Sequence, residues 1–228
     1  MAQVISLVLE ASTYAGSVAL LDGSRLLMEQ SVVMRGKEHE ALMAAVGDLL
    51  ATCALSPTQV RRVICGAGPG SFTSLRIAGA IAKGISAASG APLVPISSLA
   101  LMIGALPSRS AGRYLAVLDA MRSESYVQQF DVDADQRIVA AAPHFVIPTA
   151  AVNDTALELG ATSVGPARSG AQRAEPHARG ASAITNMIHE ATPAELAGWE
   201  PFYGRLAEAQ VKWEADHGRA LETMSASK

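Results

Sequence analysis

A change of hydrophobic period near residue 40 constrains this chain more than any other feature. Before it, residues 3–9 (QVISLVL) form an apolar run rich in β-branched side chains, and Ser17 to Leu21 form a second. Asp22-Gly23 is a strong hairpin signal, and Arg25 to Val33 continues as a third strand. After it, Leu42, Val46, Leu49, Leu50 and Cys53 recur at the spacing of one helix face, so a helix is predicted over 38–53. Glu38 and Glu40 stand near its start, where the helix dipole favours acids. A strand from Val60 to Cys65 follows, then a glycine-rich loop, a helix from about Thr73 to Ser89 and a strand from Leu93 to Ile96. Ser97-Ser98 caps a third helix reaching about Leu106.

The resulting order, β-β-β-α-β-α-β, is that of the ribonuclease-H-like module of the actin and sugar-kinase class. Tyr114 to Leu118, Tyr126 to Val132 and Ile138 to Ala141 read as a second, degraded copy of the opening meander. The expected fold is therefore α/β, with two ribonuclease-H-like modules, the second degraded. From Thr149 to Gly198 the signals weaken, and Gly165 to Gly180 reads as mostly irregular. A short helix is expected from Ala181 to Glu190, and Leu206 to Trp213 belongs to a closing helix. Two domains are expected, 1–106 and 107–205, with a C-terminal helix over 206–224 rejoining the first.

The second helix is unusual. Arg76 and Lys83 are its only charged residues, and Ala78, Gly79, Ala82, Gly84, Ser86, Ala87 and Ala88 make it small almost all round. Such a helix is expected to be buried on most sides. Glycine costs a helix about 1 kcal/mol against alanine, so Gly79 and Gly84 imply close approach by another backbone. Composition points the same way. Charged residues are 17% of the 228, against about 25% in an average domain, so some surface is expected to be covered by a second domain or a partner chain. The net charge of -3 and the absence of any Lys/Arg run argue against a subunit that grips nucleic acid alone. Cys53 and Cys65 are too few and too widely spaced for a disulfide framework or a zinc site. The opening residues lack a basic leader and read as a strand, and no span is apolar enough for a membrane, so a cytoplasmic protein is expected.

The segment from Gly66 to Thr73 (GAGPGSFT) places glycines between a strand and a helix, where backbone N–H groups at a helix start can hold an anion. Gly68, Gly70, Ser71 and Thr73 are thus a candidate nucleotide or anion loop. No Gly-Lys-Ser/Thr follows, and Ser71 stands where a third glycine would complete a dinucleotide fingerprint, so a tight structural turn is the favoured reading. Asp119 and Glu124 are the best acid pair for proton transfer or Mg²⁺, although turn and strand-edge roles are preferred for both. His39, His144, His177, His189 and His217 have no partner at metal-ligand spacing, and His189-Glu190 does not continue as HExxH. No catalytic and no metal-binding residue is expected.

As a family signature the loop is more specific. GPGSFTSLRI resembles the GPGSFTGLRIG hallmark of the TsaB family, the partner subunits of the tRNA threonylcarbamoyladenosine machinery. Leu9 to Thr13 with Ser17 to Leu20 resembles the family's DTST…SVAL opening. Glu38-His39, Ser97-Ser98-Leu99, Leu118 to Tyr126 and Glu200 to Arg205 resemble four further landmarks, in the family's order. Glu10 departs from the usual Asp, Ser74 and Ala78 from Gly, and Met121 from Arg.

The resemblance implies the actin-like ATPase superfamily and a non-catalytic subunit that binds and activates TsaD in threonylcarbamoyl transfer to the adenosine beside the tRNA anticodon. It implies TsaD and TsaE as partners, a homodimer in their absence, and contact with tRNA only through the complex. No cofactor of its own is implied, with ATP at the complex interface if anywhere. Pairing through the first two helices places the partner interface at His39, Leu42, Val46, Leu75, Arg76, Ala78, Gly79, Ala82 and Lys83. A divergent metallopeptidase-like enzyme, a small ATPase and a homodimeric regulatory protein stay open as alternatives.

Overall fold

A computed structural model describes residues 4–34, 41–166 and 172–203. His39, Glu38, Glu40, His217 and the expected helix over 206–224 lie outside the described residues.

Two sheets are built one after the other. The first has the order β3-β2-β1-β4-β5, from β1 (Ile5–Glu10), β2 (Ala15–Asp22), β3 (Arg25–Val33), β4 (Arg62–Gly66) and β5 (Leu93–Ile96). β1, β2 and β3 pair antiparallel, while β4 and β5 run parallel to β1. The parallel crossovers are made by α1 (Ala41–Thr52) and α2 (Phe72–Ser89). β1 is buried at all six positions, as a central strand covered on both faces must be. Leu7 and Leu9 face α1 and α2, with Leu42, Val46, Leu49, Ala78 and Ala82. Val8 faces the other way, towards α3 (Ser98–Gly104).

The second sheet repeats the topology with shorter outer strands. Its order is β11-β10-β6-β7-β8, from β6 (Gly112–Asp119), β7 (Glu124–Val132), β8 (Ile138–Ala140), β10 (Ala161–Gly165) and β11 (Gln172–Arg173), and β9 (Phe145–Pro148) also pairs with β7. β6 and β7 are antiparallel and β10 runs parallel to β6, as β4 does to β1. The crossover helix is α4 (Val152–Glu158), seven residues where α1 has twelve. These are two ribonuclease-H-like modules, the second reduced.

Regular elements stand where the sequence signals weaken from Thr149 onward. Residues 149–165 form a 3-10 turn, α4 and β10. The helix expected over Ala181 to Glu190 is two elements, a 3-10 segment Ala178–Ala183 and α5 (Thr185–Glu190). α3 lies between the modules, among Val8, Ile64 and Val94 of one sheet and Tyr114, Leu118 and Phe130 of the other. Gly104 of α3 and Gly180 touch backbone to backbone, and a Cβ on either would collide with a carbonyl of the other segment. No helix among the described residues is long and apolar enough to cross a membrane.

Candidate functional site

β1 and β4 are parallel neighbours, with Leu9 beside Cys65, so Glu10 ends its strand next to Gly66. α3 begins at the end of β5, which brings Ser98 to the same place. The C-terminal edge of parallel strands is where α/β sheets ordinarily take their ligands. Here the edge is occupied by the chain itself. Glu10 is fully buried, with Oε1 accepting from Ser12 N at 2.5 Å and Oε2 accepting from Ser98 Oγ at 2.8 Å. A side chain on Gly66 would collide with Glu10 Oε2. The carboxylate is thus a clasp joining β1, β4 and α3.

Burial pushes the Glu10 carboxyl up, against hydrogen bonds from Ser12 and Ser98 that pull it down. The folded chain therefore holds this proton more tightly than the unfolded chain does. Its contribution to stability is full below the unfolded carboxyl range and falls as pH rises towards the raised folded-state value. Glu10→Gln keeps the shape and cannot ionise. Its thermal midpoint should gain on the wild type as pH rises from acid to neutral. A difference between the two that stays constant with pH would contradict this account of the clasp.

The glycine-rich loop is also filled. Ala67 N donates to Ile96 O, Gly68 N to Ser98 Oγ at 3.2 Å, and Ser71 N to Ser12 O at 2.7 Å. Gly68 has φ +87°, a conformation that favours glycine, and a side chain there would meet the carbonyl of Phe202. Gly70 lies against the carbonyl of Ser12. Of the candidate anion loop, Gly68, Gly70 and Ser71 are thus engaged by Ser98, Ser12 and Phe202, and Thr73 is exposed. These contacts hold the loop against β5, α3 and the 201–203 segment.

The acid pair is placed at the β6–β7 turn. Asp119 Oδ1 accepts from Met121 N at 2.8 Å, and the backbone of Glu124 pairs with that of Ala120 and Met121. Met121, Arg122 and Ser123 all have positive φ, between 52° and 63°. Among the described residues, no three His, Cys, Asp or Glu side chains gather as a metal site would need.

The structure turns most of the expected interface residues inward. Leu42, Val46, Leu75, Ala78 and Ala82 are 0–1% exposed and pack within the chain. Gly79 is buried against Pro201 and Trp199, and Lys83 Nζ donates to Trp199 O at 2.7 Å. Only Arg76 of the described set is exposed, with its guanidinium 5.2 Å from the Phe72 ring centre. The regular apolar stripe in the sequence marks the core face, because burial within the chain is what requires it.

The opposite faces are open. On α1 the exposed residues include Met43, Ala44, Gly47, Asp48 and Ala51; on α2 they include Thr73, Arg76, Ala80, Gly84 and Ala87. α2 is therefore not buried on most sides within this chain. Gly79 has its close neighbour in Pro201, but among the described residues a Cβ on Gly47 or Gly84 would meet nothing within 4 Å. This second stripe was readable in principle, since Ala80 and Gly84 fall two positions from Ala78 and Ala82, on the far side of the helix.

Comparison with known proteins agrees with this architecture. A family model described as TsaD: tRNA N6-adenosine threonylcarbamoyltransferase matches residues 35–173. The tRNA threonylcarbamoyladenosine biosynthesis protein TsaB of Escherichia coli is 33% identical over 129 residues, covering 56% of this chain. That match spans about half the relative's own length, 55%. The protein of the same name from Bacillus subtilis is 25% identical over 226 residues, covering 91% of this chain and 96% of the relative. The solved structure of YeaZ from Pseudomonas aeruginosa superposes with a TM-score of 0.70 at 25% identity, covering 88% of this chain and 99% of that one.

Proposed function

Because this chain belongs to the TsaB family, we propose that it acts in threonylcarbamoyladenosine biosynthesis on tRNA as a partner subunit of a TsaD-type transferase. In this reading it binds and activates the transferase and contributes no catalytic group. It binds no cofactor of its own, any ATP lying at the complex interface, and it meets tRNA only through the complex. TsaE is a further member of the assembly, and two copies pair when the transferase is absent.

The observation that carries the reading is Gly84, with Gly47 beside it in kind. Each sits exposed in a helix with no neighbour among the described residues that needs the space. An exposed helix glycine without such a neighbour costs about 1 kcal/mol against alanine. A second backbone arriving at close range would offset it. The clasp at Glu10 and the filled loop support a binding role over a nucleotide-consuming one, because the Glu10 carboxyl and the amides of Gly68 and Ser71 are already hydrogen-bonded within the chain.

Gly84→Ala should therefore separate two properties. The isolated chain should become more stable by about 1 kcal/mol, read by denaturant unfolding. Its affinity for the transferase, read by calorimetry, should fall. Gain of stability with unchanged affinity would remove Gly84 from the interface.

A further inference from the structure

Residues 194–203 run back from the second module along the first. Ala194 N donates to Leu93 O at 2.8 Å, and Trp199 N donates to Glu195 O at 2.9 Å. Pro201 lies in the notch at Gly79, 3.0 Å from where a Cβ would stand. Phe202 N donates to Ala67 O at 2.7 Å, while its carbonyl covers Gly68. The Tyr203 ring packs on Phe72 with centroids 4.6 Å apart, and the Phe202 ring packs on His144 of the second module at 4.6 Å. Five residues thus touch the loop, one flank of α2 and the other module at once.

We propose that residues 199–203 are a strap that sets the position of α2 for partner binding, with Lys83 as a positioning residue. The inference rests on the partner-subunit reading. Gly79 and Lys83 hold the strap, and Ala80 and Gly84 follow them directly on the open face, so strap and partner face share one helix turn by turn. Gly79 has no side chain to fill its notch, so an absent strap leaves that flank of α2 without packing. A face of small residues needs close approach, and attraction between packed atoms falls off steeply with a gap of even 0.5–1 Å, on the order of a quarter to a half of its strength. A helix held on one flank only would present that face poorly. His144 under Phe202 extends the same contact to the second module.

Lys83→Met removes the bond to Trp199 O and keeps most of the side-chain stem; Lys83→Arg restores a donor. The full chain carries two tryptophans, so a Trp213→Phe background leaves Trp199 as the reporter. In Lys83→Met the Trp199 emission should shift to the red and the Phe202 amide should exchange faster. Affinity for the TsaD-type transferase should fall about tenfold, with far-ultraviolet circular dichroism unchanged. Lys83→Arg should recover all three readouts. A loosened strap with unchanged affinity overturns the proposal, as does a strap that Lys83→Met does not loosen. A wild-type chain that does not bind the transferase overturns the partner reading itself, a separate result.

Discussion

Gly180→Ala should lower the thermal midpoint by about 10 °C. The added Cβ would strike the carbonyl of Leu101 and crowd the amide nitrogen of Ala105. Both are backbone atoms of α3 and its end, which lie in the core shared by the two sheets. A side chain could rotate away, but a buried helix cannot. Overpacking ordinarily costs about 1–3 kcal/mol, and a backbone obstacle puts this case near the top, about 3 kcal/mol. That is a large share of a stability of about 5–15 kcal/mol. Differential scanning calorimetry reads it directly. A midpoint within about 2 °C of the wild type would mean that α3 and the 178–183 segment do not pack backbone to backbone.

Two arginine substitutions on α2, two residues apart, should have opposite consequences. Ala80 is exposed and Ala82 is fully buried. Ala82→Arg puts an unpaired cation among Leu42, Val46, Leu7 and Leu9, an arrangement that costs about 3–5 kcal/mol or more and should prevent folding. Ala80→Arg lies on an exposed face, and exposed substitutions usually change stability by about 0.5 kcal/mol or less. It should fold normally and yet lose about a hundredfold in affinity for the transferase, since a long charged side chain would hold the partner off a face of small residues. Circular dichroism with titration calorimetry separates the outcomes. A folded Ala80→Arg that binds like the wild type would move the interface off this helix.

The first module was legible because its signals are local. Asp22-Gly23 fixes a hairpin, and five apolar residues from Leu42 to Cys53 fix a helix of twelve residues. The second module has a shorter crossover helix and shorter outer strands, and the signal shrinks with them. α4 buries only Val152 and Ala156, too few to declare a period, and β10 buries only Val164 and Gly165 of its five residues. The Glu10 clasp joins residues 88 positions apart through Ser98, and no local pattern carries that. Tyr203, Phe202 and Pro201 stood out as a sequence landmark, but their place against Phe72, His144 and Gly79 depends on the chain returning to the first module. Most of the residues expected at the interface pack inside the chain. Leu42 and Ala82 carry the stronger pattern because the chain's own core demands it. Ala80 and Gly84, on the open face, are small and exposed and carry no apolar period of their own.

Threonylcarbamoyl transfer to tRNA by a cognate TsaD-type transferase, measured with this chain, without it, and with the chain alone, tests the central claim most directly. The account predicts stimulation by the wild-type chain, none by Ala80→Arg, and no transfer by the chain alone. Transfer by the chain alone, or an active transferase indifferent to the wild-type chain, would contradict it.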